Sequence, residues 1–525
     1  MGVDDVTYSG KHMARAAFLL MVTVILSRVL GYGREVALYT LFGQNYITDA
    51  YRAAFSIPDL IYMLLVGGAL SSALIPVLSS YLANNKEEEG WEAISILTNW
   101  VMLLMLVLMA AAYFYTRPLI IMLTPGLPEQ YITLAVSLTH IMLVQTFFMA
   151  LNGLAMGILN SYQHFTSPAL GSLVYNVVII IVGFLFYERL GIAAFSYGVA
   201  LGAALNLAVQ IPALKKVGIR YRFTLQTGNP GFVRIVRLMV PVMAGLGVAQ
   251  LNLFVTQNIA SHLGSGVLSS LNLAQRIMNL PVGIFAVSIG TALFPTLASL
   301  IAKGEREEFR RYTSLGIRAT VLLGIPASLG LLAIGQPLVS LLFQQGEFTA
   351  DMVESTTQVL NYYLIGLTAY ACMQVAVRGF YALKAPVIPV IAAVLAIMVN
   401  IVLSLHLGYR WGAAGLALAY SIAGWIDLLI LLAALRWKVG PVGGSKILRV
   451  FLISLGASVV MFLAVWGVGE GLSSLLAFSS KGLLLLWLGL TTAAGLLVYA
   501  FIVYWFKLEE TEVVLRMLRS RWSSH

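Results

Sequence analysis

About fourteen apolar stretches of 18 residues or more run through this chain, and they leave it few ways to fold. They cover roughly residues 14–42, 51–82, 91–116, 131–160, 168–187, 191–214, 236–260, 267–302, 314–334, 353–377, 386–408, 411–435, 447–468 and 481–506. In hydrocarbon, every backbone N–H and C=O must be satisfied internally, which a helix does within one segment. Composition agrees: 60% of the 525 residues are hydrophobic and 10% are charged, against about 25% charged in a soluble domain. The chain reads as an all-α integral membrane protein with about fourteen transmembrane helices. No cleavable leader is expected, because the first apolar run, opened by Arg15, is too long for one. Segments interrupted by Gly or Pro are the ones expected to break.

Charge is placed unevenly along this pattern. Arg28, Arg34, Arg52 and Arg276 sit inside apolar segments, and almost every other Lys or Arg falls in a loop. An Arg at the centre of a membrane helix costs roughly 2.5–3.5 kcal/mol on insertion scales, so such residues normally face water or an anion. Four basic residues, Arg117, Arg189, Arg410 and Lys481, fall on the outer side when the N-terminus is placed inside. Apart from these and the four arginines in apolar segments, the remaining 24 of the 32 fall on the inner side, in loops such as 215–222, 303–311 and 436–438. That asymmetry is the positive-inside pattern and puts both termini in the cytoplasm. The net charge of +10 is therefore a topology signal and not a nucleic-acid patch.

Catalytic and metal chemistry find little to stand on. Cys372 is the single cysteine, which excludes intramolecular disulfides and cysteine-based metal clusters. The six histidines are scattered, and only His140 lies deep in an apolar segment, where a hydrogen-bonded structural role is expected. No phosphate-binding Gly loop with its Lys and no nucleophile–base pair is present, so no enzyme, cofactor or metal site is expected.

The chain repeats itself. AYRAAFSIP at 50–58 answers LAQRIMNLP at 273–281, and GALSSALIPVLSSYLA at 68–83 answers GTALFPTLASLIA at 290–302. Each copy then meets a charged loop, KEEE at 86–89 and KGEREE at 303–308, and later ends in ALKKVG at 213–218 or LRWKVG at 435–440. Six helices separate the copies, so both share one orientation, which predicts two six-helix lobes related by a pseudo-two-fold axis around a central cavity. The expected organisation is an N-terminal lobe over 1–225, a second lobe over 226–440, and a helix pair with a cytoplasmic tail over 441–525. Such a duplicated bundle suits alternating access.

The repeat gives the arginines a geometry. Arg52 precedes Pro58 by six residues and Arg276 precedes Pro281 by five, so the two occupy nearly equivalent places. Arg28 and Arg34 lie about 240° apart on an ideal helix, and Gly31 and Gly33 permit a bend that would bring both toward one cavity. Guanidinium suits phosphate through paired N–H donors and permanent charge, so the set fits a diphosphate. Ser27, Glu35, Asp49 and Asp59 are the supporting polar groups, with Asp427 more distant. Glu35, seven residues after Arg28, is a candidate partner for it on the same helix face.

SRVLGYGRE at 27–35, TDAY at 48–51, the Pro and Gly motifs of 57–77, QRIMNLPVGIFAVSIGTALFP at 275–295, LLFQQGEFT at 341–349 and VRGFYALK at 377–384 resemble the MurJ (MviN) family of lipid II flippases, within the multidrug/oligosaccharidyl-lipid/polysaccharide exporter superfamily. The resemblance implies movement of the undecaprenyl-diphosphate-linked peptidoglycan precursor across the bacterial cytoplasmic membrane. It maps the family's essential arginines onto Arg28, Arg34 and Arg276, and its acid onto Asp49. It also implies a lipid-tail groove on helices thirteen and fourteen. Two departures stand out. Where many members carry a basic pair, this chain has Tyr62 and Met63, and Arg52 is expected to supply the charge. Where some members hold sodium, Thr256 and Ser404 replace carboxylates beside Asn400, which leaves the coupling ion open.

The leading expectation is a flippase for lipid II. Its partners would be the lipid-linked anionic glycan, membrane lipids and proteins of cell-wall synthesis, with a monomer expected. The alternatives are a flippase for another polyprenyl-diphosphate glycan, a multidrug antiporter, which should instead present carboxylates, and a non-transporting scaffold.

Overall fold

The computed structural model describes residues 3–67, 69–475 and 480–510. Among them there are no strands. The helices are α1 (Val3–Phe42), α2 (Tyr46–Leu65), α3 (Ala69–Ala83), α4 (Glu87–Leu123), α5 (Glu129–Ser161), α6 (Thr166–Leu190), α7 (Ala193–Lys216) and α8 (Pro230–Ser261). After them come α9 (Val267–Pro281), a π-helical turn (Val282–Ala286), α10 (Val287–Lys303), α11 (Arg306–Phe343), α12 (Ala350–Ala382), α13 (Val387–Val439), α14 (Gly444–Leu475) and α15 (Lys481–Trp505). Ten of these helical runs are long and apolar enough to cross a membrane, counting α9 to α10 as one. The expected fourteen segments all fall on helices: α13 carries two, and α1, α2 with α3, and α8 supply the others. Residues 511–525, including His525, lie outside the described residues, as does Gly68 at the head of one repeat motif.

The interruptions come where Gly and Pro stand. The second segment is two helices, because Val66 (φ −126°) leaves the α-helical region and Gly67 packs so tightly on Met63 that a Cβ would lie 2.8 Å from its Cα. The eighth continues past Pro281 through the π-turn; Pro lacks the N–H that an α-helix needs, and a wider turn accommodates the loss. In α13 the chain doubles back at Gly412 (φ 60°, ψ −140°), and Gly415 lies so close to the Leu407 carbonyl that no Cβ would fit.

The chain forms two compact units, Met1–Gly266 and Val267–His525. In the first, α8 packs on α2, α3 and α4, so this packing boundary falls one helix later than the start of the second sequence copy at 226. Asn258 donates to the Met122 carbonyl (2.7 Å), and Ser56 to Gln257 (2.7 Å), which ties α8 to α4 and α2. One core lies among α2 to α5, around Leu70, Leu74, Leu78, Trp91, Met105 and Leu159. Another, among α1, α2, α6 and α7, holds Leu38, Tyr51, Ile179 and Phe195. Small residues let α6 and α7 touch: a Cβ on Gly183 would strike the Phe195 ring, and one on Gly171 would strike Asn206.

In the second unit the main core joins α11, α12, α14 and α15, through Ile317, Leu322, Val375, Met461, Val465 and Tyr499. The Tyr499 hydroxyl, which adjoins Ser454 at 2.8 Å, donates to the Leu322 carbonyl at 2.6 Å, pinning both C-terminal helices to α11. Phe114, Leu497, Phe501 and Trp505 stand exposed on their helices, the pattern of surfaces solvated by lipid.

Candidate functional site

The arginines of the first unit are placed by how α1 meets α6. α1 runs unbroken through Gly31 and Gly33, so the bend expected there is absent. The two glycines instead leave room for α6: a Cβ would reach Asn176 at 3.9 Å and Ile180 at 3.8 Å. Asn176 donates to the Ser27 carbonyl (3.4 Å), and Ser172 donates to the Ser27 hydroxyl (3.0 Å). Ser27 is thus a joint between helices. Because the helix stays regular, Arg28 and Arg34 do not share a face. Arg28 is exposed and Arg34 half-buried.

The start of α2 supplies the next group. The Asn45 side chain accepts from the Ile47 and Thr48 amides, and Thr48 caps Asn45 in return, a reciprocal box that fixes the first turn. Asp49 is held in that turn with 2% of its surface exposed, and its Oδ2 accepts the Gly266 amide at 2.7 Å. One turn on, Arg52 is also buried. Its Nη2 donates to Glu35 Oε2 and to the Tyr39 hydroxyl (3.3 Å), and its guanidinium lies 5.6 Å and 6.0 Å from the centroids of the Tyr39 and Tyr51 rings. Glu35 Oε1 accepts from Arg34 at 3.1 Å. Glu35 therefore pairs with Arg34 and Arg52, and not with Arg28 as its seven-residue spacing suggested. Among the described residues no carboxylate pairs with Arg28. Tyr175 of α6 faces Arg34, and Asp59, exposed on α2, lies near Tyr62 and Tyr175.

The arrangement has a simple electrostatic content. Three ionised groups, two guanidiniums and one carboxylate, leave one net positive charge. Side-chain exposure falls from 16% at Arg34 to 8% at Arg52 and 2% at Glu35, so that charge is most accessible on Arg34.

In the second unit Arg276 stands half-buried on α9, a helix packed on α12. Its neighbour Gln275 hydrogen-bonds the Tyr420 hydroxyl. Asn400 and Ser404 are buried on α13, with Ser404 donating to Asn400 at 3.4 Å. A cleft of about 660 Å³ opens among α11, α12, α14 and α15, lined by Gln336, Ser340, Gln344, Lys481 and Trp487. It contains no guanidinium and is separate from Arg276. Among the described residues no group of three or more His, Cys, Asp or Glu is placed to hold a metal ion. His140 stacks on the Tyr113 ring (4.2 Å between centroids) and bonds its carbonyl (3.2 Å).

Sequence reasoning missed two arginines inside helices, Arg318, which is buried, and Arg378, which is half-buried. Arg318 lies inside α11, not in a loop, and pairs with Glu510 and with Glu509 (3.3 Å) just beyond α15. Arg378 lies inside α12, donating to the Gln374 carbonyl (2.8 Å) and Thr291 (3.2 Å). The available signal was the acidic pair Glu509–Glu510 directly after an apolar run. The tyrosines around Arg52 carried no signal, since aromatic residues recur throughout the chain.

The fold is one that solved multidrug transporters share. An inward-facing multidrug resistance MATE family transporter of the MOP superfamily matches over 81% of this chain and 99% of its own, with a TM-score of 0.67 at 13% identity. Within that fold the match narrows. The model of the family described as lipid II flippase MurJ covers residues 38–488, and the chain belongs to that family. A solved lipid II flippase MurJ in an inward closed conformation is 28% identical, with a TM-score of 0.78 over 93% of this chain and 98% of that one. The lipid II flippase MurJ of Burkholderia cenocepacia is 31% identical over 465 residues, 86% of this chain and 89% of that protein. The probable lipid II flippase MurJ of Bdellovibrio bacteriovorus is 28% identical over 517 residues, 96% and 97% of the two chains. A flippase moves a lipid without making or breaking covalent bonds, which sets the chain among transporters and apart from enzymes.

Proposed function

We propose that this chain carries lipid II, the undecaprenyl-diphosphate-linked peptidoglycan precursor, from the inner to the outer leaflet of the bacterial cytoplasmic membrane. The transport works by alternating access, through a cationic cavity that receives the diphosphate. Arg28, Arg34, Arg52 and Arg276 are the residues proposed to supply its charge. Both termini face the cytoplasm, in keeping with the basic inner loops.

The observation that carries this reading is the Arg34–Glu35–Arg52 cluster, in which two guanidiniums share one carboxylate and the more exposed guanidinium is Arg34. A guanidinium with free N–H donors binds phosphate oxygens in pairs and keeps its charge at every physiological pH. The named activity of the relatives supports the cargo. An inside-negative potential favours outward movement of an anion by about 2.3 kcal/mol per charge per 100 mV, so the potential can drive the step. A drug antiporter would present carboxylates to cations, whereas Glu35 at the centre of this cluster is occupied by two arginines.

Complementation tests the reading. In cells depleted of their own lipid II flippase, the wild-type chain is expected to restore growth, and Arg28→Ala or Arg276→Ala variants expressed at equal level are not. Failure of the wild type despite confirmed membrane expression would shift the cargo to another polyprenyl-diphosphate glycan.

A further inference from the structure

We infer that Arg52 is a positioning residue: it shares the Glu35 carboxylate with Arg34, so that the charge of Arg34 is not neutralised and can attract the anionic cargo. The inference rests on the proposed function and assigns separate tasks within the arginine set.

Four observations point the same way. The carboxylate is divided, with Oε2 bonded by Arg52 and Oε1 by Arg34. Arg52 reaches Glu35 from the adjacent helix α2, whereas Arg34 is Glu35's neighbour in sequence and would be its default partner. Arg52 is also enclosed: Tyr39 accepts one of its N–H groups and the Tyr39 and Tyr51 rings flank its guanidinium. Finally, it is half as exposed as Arg34, at 8% against 16%. A guanidinium boxed in this way has little surface to offer a phosphate, yet its charge still acts on its neighbours.

The consequence is electrostatic. With Arg52 present, the three groups sum to one positive charge, because one carboxylate is shared between two guanidiniums. With Arg52 replaced by an apolar side chain, the Arg34–Glu35 pair is neutral and the carboxylate claims Arg34 alone. A buried carboxylate that loses one guanidinium tightens on the guanidinium that remains, since the low local dielectric strengthens that pair. The site loses its anion attraction although its phosphate-facing residue is untouched.

The test uses the purified full-length chain in detergent and measures binding of undecaprenyl diphosphate. Arg52→Met, which keeps length and apolar packing, is expected to weaken binding about tenfold or more. Arg52→Lys retains the charge and is expected to stay within about threefold of wild type. The decisive variant is Arg52→Met combined with Glu35→Gln, in which no carboxylate remains to capture Arg34; its affinity is expected to return to within about threefold of wild type. A double variant as weak as Arg52→Met would mean that Arg52 touches the cargo itself, and would overturn the positioning role. Binding unchanged in Arg52→Met, with only its thermal stability lowered, would overturn it in favour of a purely structural ion pair. If the wild type bound no polyprenyl diphosphate at all, the proposed function would fall first, and the inference with it.

Discussion

Asp49 accepts the backbone amide of Gly266 at 2.7 Å, closing a loop of 217 residues onto the first turn of α2. Gly266 has φ +78°, and a Cβ there would lie 2.7 Å from the Gln44 carbonyl, so the approach demands glycine. The acid expected to support the site is thus also the anchor for the last turn of the first unit.

Replacing Asp49 by Ala leaves a buried N–H without its acceptor. Such a group costs about 1–3 kcal/mol. Thermal unfolding in detergent is expected to show that loss for Asp49→Ala and a smaller one for Asp49→Asn, whose amide oxygen can still accept.

Arg318 and Glu510 form a buried pair, with side chains 7% and 1% exposed, while Glu509 is 64% exposed and adds little. Removing one partner of a buried pair typically costs about 3–5 kcal/mol because a charge is stranded. Arg318→Ala is therefore expected to lower stability sharply. Arg318→Met with Glu510→Leu should recover most of the loss, as followed by thermal melting or by proteolysis of the segment after α15.

Gly412 occupies a region of backbone space that is essentially restricted to glycine. Gly412→Ala is expected to cost about 1–3 kcal/mol, whereas Gly456→Ala, with open space at its Cβ, should be nearly neutral. Comparative unfolding of the two variants checks this.

At the end of α5, burial and then the hydrogen bond to Glu87 (2.5 Å) push the Tyr162 hydroxyl up to about 12. A phenol whose value is raised on folding contributes stability that is complete below its unfolded value, near 10. That contribution disappears as pH rises through 12. Tyrosinate absorbance gained near pH 12 should be smaller by one tyrosine in Tyr162→Phe, and the variant should lose less stability over the same pH window.

The sequence disclosed the helices because length and apolarity alone decide what can cross hydrocarbon: every expected span falls on a helix. Breaks followed Gly and Pro where those residues remove a donor or permit a close approach, as at Gly67 and Pro281. Pairings were harder to read. Glu35 looked like a partner for Arg28 by helical spacing, but the carboxylate turned to Arg52, which arrives from another helix. Arg318 went unnoticed because its acids stand 191 and 192 residues away, a distance that no periodicity spans. Local pattern sets elements, while charge pairing depends on which helices meet.

The most direct measurement is flipping itself. Purified protein is placed in vesicles containing fluorescent lipid II, and lipid reaching the opposite leaflet is scored by its accessibility to an enzyme or quencher added outside. Transfer is expected for the wild type, and a rate near that of protein-free vesicles for Arg34→Ala and Arg276→Ala variants that are folded and equally incorporated. Transfer by those variants at the wild-type rate would contradict the proposed function.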